Sequence, residues 1–198
     1  MSKYNDEYVF ILKNEDDLRL PSLKADITTS QRQYDVEPVP TDSSPYVFFN
    51  GWREENIRDG SKDHVANILF EGANFMVRDH IRELLLQREL PGLTMHPSIY
   101  LDDAGNRHEG FWFLTFKSEL DCWDRDRSTF MPGTSTRDMV FNYSLSAEVL
   151  NAIPLQQRLL FQMGGTLESP VLCHRSLAAI FRQNGDSGAM LKAVRDYP

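Results

Sequence analysis

One spacing constrains this chain more than any other. Val77, Ile81, Leu84 and Leu85 stand at i, i+4, i+7 and i+8, the apolar stripe of an amphipathic helix, with Arg78, Asp79, Arg82 and Glu83 on the other side. Adding 96 to each apolar position lands on Cys173, Leu177, Ile180 and Phe181, apolar again at the same spacing, and Gln87 and Gly92 map onto Gln183 and Gly188 without a gap. Strand-like residues precede each stripe (Asn67 to Phe70, Arg158 to Met163) and follow each glycine (Leu93 to Tyr100, Ala189 to Val194). Amphipathic patterns recur in unrelated helices, but the matched glycine and glutamine favour a duplicated strand-helix-strand unit.

Around the repeat the chain divides into residues 1–60, 65–101, 110–145 and 158–196, within one domain by the prior of roughly 150 residues per domain. The first stretch opens with a strand, Tyr8 to Lys13 (YVFILK). It then runs through Pro21, Pro38, Pro40 and Pro45, four of the ten prolines, which suits either an extended arm over the body or a loop. Tyr46 to Asn50 reads as a further strand, closed by the Asn50-Gly51 turn signal. Helices are expected over Met76 to Arg88, ended by Pro91-Gly92, and over His174 to Asn184. Thr94 to Leu101 should be a strand, turned at Asp103-Ala104-Gly105-Asn106. Gly110 to Lys117 (GFWFLTFK) is apolar on both alternating faces, as a central strand covered on two sides would be. Met139, Phe141, Tyr143 and Leu145 have the period of a half-buried strand. The expected fold is α+β: a mixed or antiparallel sheet centred on Phe111 to Phe116, with two main helices.

Composition narrows the function by exclusion. No apolar run approaches the roughly 20 residues that a membrane helix needs. The opening MSKYNDEYVF has no apolar signal core, so a cytoplasmic location is expected. Asp and Glu number 29 against 21 Lys and Arg, a net charge of −8, which argues against nucleic acid and permits a basic protein partner. The two cysteines, Cys122 and Cys173, lack companions at metal-ligand spacing and read as buried thiols.

Catalytic motifs are missing. His64, His80, His96, His108 and His174 fall in five separate segments, without a zinc or phosphate-loop signature. His80 and Glu83 share a helix, but two residues do not make a ligand set. The densest polar cluster is DCWDRDRS, Asp121 to Ser128, in which Asp124 and Asp126 form the DxD pattern that in some transferases holds a metal and a diphosphate. Acids alternating with arginines more often form a neutralised surface turn. Trp123 within it, and Trp52 beside Glu54 and Glu55, are the aromatic-in-polar patches from which interfaces draw their binding energy, although for Trp52 the more ordinary outcome is a ring folded onto the core beside solvated acids. Leu86, on the charged side of the first helix, must be covered by the arm, covered by a partner, or exposed.

Taken in order, YVFILK, FMVRDHIRELLLQRELPGL, DCWDRDRS and PVLCHRSLAAIFRQNGDSGAMLKAV resemble the bacterial immunity proteins of polymorphic toxin systems, specifically the eleventh immunity family, over Tyr8 to Tyr197. The chain departs from the family in placing Arg78 and His174 where a small hydroxyl residue opens each helix, so capping is expected from Asp79 or Ser176. The middle segment matches at Asp121, Asp124 and Ser128. The resemblance implies a cytoplasmic antidote without catalysis or cofactor, which binds a cognate toxin domain; the two aromatic-in-polar patches, read from the residues themselves, supply Asp121, Trp123, Asp124, Asp126, Trp52, Glu54 and Glu55 as candidate contacts. The alternatives are a metal-dependent nucleotide- or sugar-processing enzyme built on Asp124 and Asp126, and a secretion-system adaptor or scaffold.

Overall fold

The computed structural model describes residues 2–32, 34–40, 43–131, 140–182 and 186–197. In chain order its helices are α1 (Tyr4–Glu7), α2 (Ile27–Gln31), α3 (Arg53–Asp59), α4 (Asp79–Leu86), α5 (Ala147–Asn151) and α6 (Ala178–Arg182). Its strands are β1 (Tyr8–Lys13), β2 (Leu23–Ala25), β3 (Tyr46–Asn50), β4 (Ile68–Glu71), β5 (Asn74–Arg78), β6 (Leu93–Leu101), β7 (Arg107–Phe116), β8 (Thr129–Phe130), β9 (Val140–Asn142), β10 (Leu160–Gln162), β11 (Val171–His174) and β12 (Ala189–Ala193). Two sheets dominate, ordered β2-β3-β6-β7-β5-β4 and β10-β11-β1-β12, and among the described strands only the β3–β6 pair is parallel. Phe111 to Phe116 lies in β7, bonded on one side to β5 and on the other to β6. The chain is a single α+β domain.

Both sheets use one blueprint. In the first, the hairpin β4–β5 leads through α4 to β6, and β7 fills the gap between β5 and β6. In the second, β10–β11 leads through a 3-10 turn (Arg175–Leu177) and α6 to β12, and the gap between β11 and β12 is filled by β1 from the opposite end of the chain. The registers agree pair by pair. Met76 faces Phe113 and Met95 faces Leu114 in the first copy; Leu172 faces Phe10 and Leu191 faces Ile11 in the second. An offset of 96 along the helical unit and 103 along the inserted strand superposes all four pairs. Even the first bond beyond each strand recurs, Lys117 N–H to Gly92 O at 2.8 Å and Asn14 N–H to Gly188 O at 3.1 Å.

The two copies bury their helix-bearing faces against each other. The central core is built from equivalent positions: Ile68 and Leu160, Val77 and Cys173, Ile81 and Leu177, Leu85 and Phe181, Leu114 and Ile11. Phe75 meets Phe181 edge to face with centroids 6.1 Å apart, an orientation aromatic quadrupoles favour. A second core lies outside the four-stranded sheet around Tyr8, Phe10, Trp123 and Tyr143, and a third lies inside the curl of the six-stranded sheet around Phe48, Tyr100 and Phe113. That sheet curls because a bridge between Ser22 and Phe70 draws its edges, β2 and β4, together.

Several expectations change. The helix expected over Met76 to Arg88 begins at Asp79, since Met76 to Arg78 complete β5, and the stretch expected as a helix from His174 starts as the end of β11. Val77 and Cys173 mimic a helical stripe because a strand buried on both faces runs directly into a helix facing the same core. Asn184 lies outside the described residues, as does Met139; of the alternating run, Val140–Asn142 is strand while Tyr143 and Leu145 are buried beyond it. Capping also differs: the His174 ring itself accepts the Ser176 amide at 3.3 Å, and Arg78 opens α4 with no side-chain cap. The proline-rich arm packs. Tyr34 stacks on Phe113 at 5.0 Å and donates to Glu71 at 2.6 Å, and Thr94 Oγ1 donates to Val36 O at 2.8 Å. Cys122 and Cys173 are free, buried thiols in different cores, each pushed up to about 12 by burial.

Where the copies join, His64 spans two carboxylates, Nδ1 to Asp17 at 3.0 Å and Nε2 to Asp186 at 2.8 Å. The Asp17 contact raises the His64 pKa, burial opposes it, and Asp186 adds to the rise. Asp17 in turn is held well below the carboxylate range, by Arg19 first and His64 second. The imidazolium's contribution to stability is therefore complete below the unfolded value of about 6.5 and lost as pH rises through the raised folded value. The Asp17 contribution is present above about 3.9 and lost as pH falls towards its folded value. The thermal midpoint should decline as pH rises above about 6.5, and His64→Gln should flatten that decline. An equal slope in wild type and variant would place the pH sensitivity elsewhere.

Candidate functional site: a pinned helix presenting tryptophan

Trp52 and Trp123, both set among acids and arginines in sequence, have opposite fates. Trp123 is only 3% exposed, packs edge to face on Tyr143 at 5.5 Å and donates its Nε1–H to Gly165 O at 3.2 Å. It is therefore part of the outer core. The segment around it fastens the outer core. Asp121 chelates the Arg125 guanidinium, which lies 4.1 Å over the Trp123 ring. Asp124 Oδ1 accepts the Asp126 and Arg127 amides at 3.0 and 3.2 Å, and Ser128 Oγ accepts the Ser144 amide at 3.0 Å. Asp124 thus spends its carboxylate on a turn, while Asp121, held by Arg125, and Asp126 are both exposed. Among the described residues no group of three His, Cys, Asp or Glu is placed to hold a metal ion, and His80 and Glu83 are both exposed.

Trp52 is 59% exposed and does not fold onto the core. It precedes α3, a helix with no buried residue, which also presents Ile57 at 59% exposure and Glu54 to solvent, with Glu55 partly covered. Glu54 and Glu55 sit in the first turn, where the helix dipole favours negative charge. Gly60, at φ +68°, takes the left-handed closing position, and Ser61 N–H reaches back to Asn56 O at 2.9 Å.

A seven-residue helix without an apolar anchor needs another support. Asp103 supplies it, though itself only 7% exposed. Its carboxylate accepts Asn56 Nδ2 at 2.7 Å and Asn50 Nδ2 at 3.1 Å, and its carbonyl accepts Arg53 Nε at 3.3 Å. The Asp103 amide donates to Asp63 at 3.2 Å, and Asp63 accepts the Tyr100 hydroxyl at 2.5 Å. Burial first, then the Asp63 bond, drive the Tyr100 pKa far above the phenol range, so this hydroxyl remains a donor. Alongside, Asp102 takes His108 at 2.9 Å and the Asn106 amide at 2.7 Å. These groups converge because β3 and β6 run parallel and deliver Asn50 and Asp102-Asp103 to the same end of the sheet, where loop chemistry gathers in sheets with parallel strands. A recess of about 240 Å³ lined by Phe49, Arg53, Leu101, Asp102 and Gly105 opens there.

The Asp63–Asp103 network is what sequence reasoning missed. Its members are ordinary Asp and Asn in three separate segments, and only strand order makes them neighbours. Leu86 is exposed at 56%, uncovered by the arm. No model of a known protein family matches the chain, and no curated protein matches it significantly.

Proposed function

We propose that the protein is an immunity-type antidote that neutralises a cognate toxin domain by stoichiometric binding, with α3 as its principal contact. The observation that carries this reading is the exposure of Trp52, just before α3, and of Ile57 within it, with Glu54 and Glu55 between them, on a segment fixed from beneath by Asp103. Interfaces concentrate binding energy in such aromatic anchors, and a pre-fixed anchor loses little entropy on binding. Glu54 and Glu55, within a net charge of −8, suit a basic toxin surface and would speed encounter. The antidote would act in the cytoplasm; among the described residues no helix is long and apolar enough to cross a membrane. Asp121 and Asp126, both solvent-facing, lie on the turn over the outer core and would serve as secondary contacts.

Coexpression with the toxin domain encoded beside its gene should rescue growth. Trp52→Ala should weaken the complex about 30-fold or more, as hot-spot truncations of about 2 kcal/mol do, with an unchanged thermal midpoint. Charge reversal of Glu54 and Glu55 should slow association and reduce its salt dependence. If the toxin kills despite the protein, or if the protein instead copurifies with structural subunits of a secretion apparatus, the antidote reading is lost.

A further inference from the structure

The two large sheets have four edges, and three of them are closed within the chain. β2 and β4 meet through the Ser22–Phe70 bridge, and the first residue of β4 is held further by Ile68 N–H to Ser187 O at 2.9 Å. β10 is bridged at Met163 to Leu120, whose amide donates to Gln162 O at 2.8 Å and whose carbonyl accepts Gly164 N–H at 3.0 Å. β12 is the fourth edge.

The alternation of antiparallel bonding fixes which of its groups face outwards. The bond from Asn14 N–H to Gly188 O makes that pair hydrogen-bonded, so the bonded pairs continue at Leu12 with Met190 and Phe10 with Lys192. The main-chain groups of Ala189, Leu191 and Ala193 therefore point away from β1. Ser187 Oγ takes the Ala189 amide at 3.3 Å and the Ala193 carbonyl opens the 3-10 turn that follows, whereas both main-chain groups of Leu191 and the amide of Ala193 have no outward backbone partner among the described residues. In the first copy the corresponding edge, on β6, is blunted at Pro97 and covered beyond it by β3. Ala193 is the position equivalent to Pro97, and the residues equivalent to Ser98–Leu101 form a 3-10 turn instead of a strand.

We propose that this edge pairs with β12 of a second copy of the chain, antiparallel about Leu191, joining two four-stranded sheets into one. The sequence Ala189-Met190-Leu191-Lys192-Ala193 is self-complementary in that register, as a two-fold interface requires. Leu191 meets its own counterpart, Ala189 meets the partner's Ala193, and both outward-facing pairs are small or apolar. Lys192 falls opposite Met190 and not opposite another lysine, so the arrangement avoids the like-charge pair that normally protects an edge. A five-residue edge buries little area, and the dimer is accordingly weak and concentration-dependent.

Sedimentation equilibrium over a concentration series tests this. Ala193 has φ −61°, already the value proline imposes, and the first copy carries proline at the same position, so Ala193→Pro should fold while removing an outward donor. It should raise the dimer dissociation constant about 30-fold, one main-chain bond being lost in each of two symmetry-related pairs. Met190→Lys should weaken the dimer by placing like charges opposite, and Met190→Glu should tighten it; opposite signs at one site exclude a general loss of folding. A chain that is monomeric up to its solubility limit, or a dimer indifferent to both Met190 variants, overturns the proposal.

Discussion

Deleting residues 2–13 should leave a chain that does not fold. β1 is the inner strand between β11 and β12, and it places Val9 and Ile11 in the central core and Tyr8 and Phe10 in the outer one. Burial of one such side chain is worth about 1.5–3 kcal/mol, so four approach the entire stability of about 5–15 kcal/mol expected of a domain. The loss should show as absent cooperative unfolding by circular dichroism and rapid proteolysis. The blueprint makes the companion result sharper. A circular permutant that begins at Asn14 and carries residues 2–13 behind Tyr197 through a short flexible linker should fold, because β1 would then follow β12 as β7 follows β6. The connection is short, since Phe10 and Tyr197 already have ring centroids 4.6 Å apart. Cooperative unfolding of the truncated chain, or failure of the permutant, would contradict the assignment of β1 as the displaced last strand of the second copy.

Gly188→Ala should be the most damaging substitution of a glycine among the described residues, at about 3–5 kcal/mol from backbone strain together with overpacking. Gly188 has φ +74°, and a methyl group there would overlap the Ile68 carbonyl and approach Ala66 Cβ to 2.8 Å. Its counterpart Gly92 has φ +84° but meets nothing nearer than Lys117 Cβ at 3.8 Å, so Gly92→Ala should cost only the conformational term, about 1–2 kcal/mol. Chemical denaturation of the two variants separates them, and equal losses would show that the difference in packing has no weight. The asymmetry has a structural source. Gly188 lies where the second copy abuts β4 of the first, with Asn67 and Ile68 amides bonded to Asp186 and Ser187 carbonyls at 3.0 and 2.9 Å.

The 96-residue offset was readable because an amphipathic helix repeats its apolar positions every three or four residues, whatever the fold around it. Its boundaries were not. Val77 and Cys173 satisfy a helical stripe and a doubly buried strand equally, and only pairing with Trp112 and Val9 decides between them. The displaced strand left a trace in the sequence: YVFILK matches FWFLTF in its run of large apolar residues, but periodicity cannot tell which strands become neighbours.

The candidate site divides the same way. Sequence alone determined that the chain is acidic, that it contains two tryptophans set in charged segments, that two related units build its core, and that Gly110 to Lys117 must lie inside a sheet. Tertiary structure decided which tryptophan is available, because burial depends on what arrives from elsewhere. Tyr143 and Gly165 enclose Trp123, whereas among the described residues nothing closes over Trp52, whose helix is fixed at the end of the sheet by Asp103. Local chemistry is written in neighbouring residues, whereas exposure is a property of distant ones. Strand order, supplied by contacts more than 100 positions apart such as Tyr8 with His174, is what converts the first into the second.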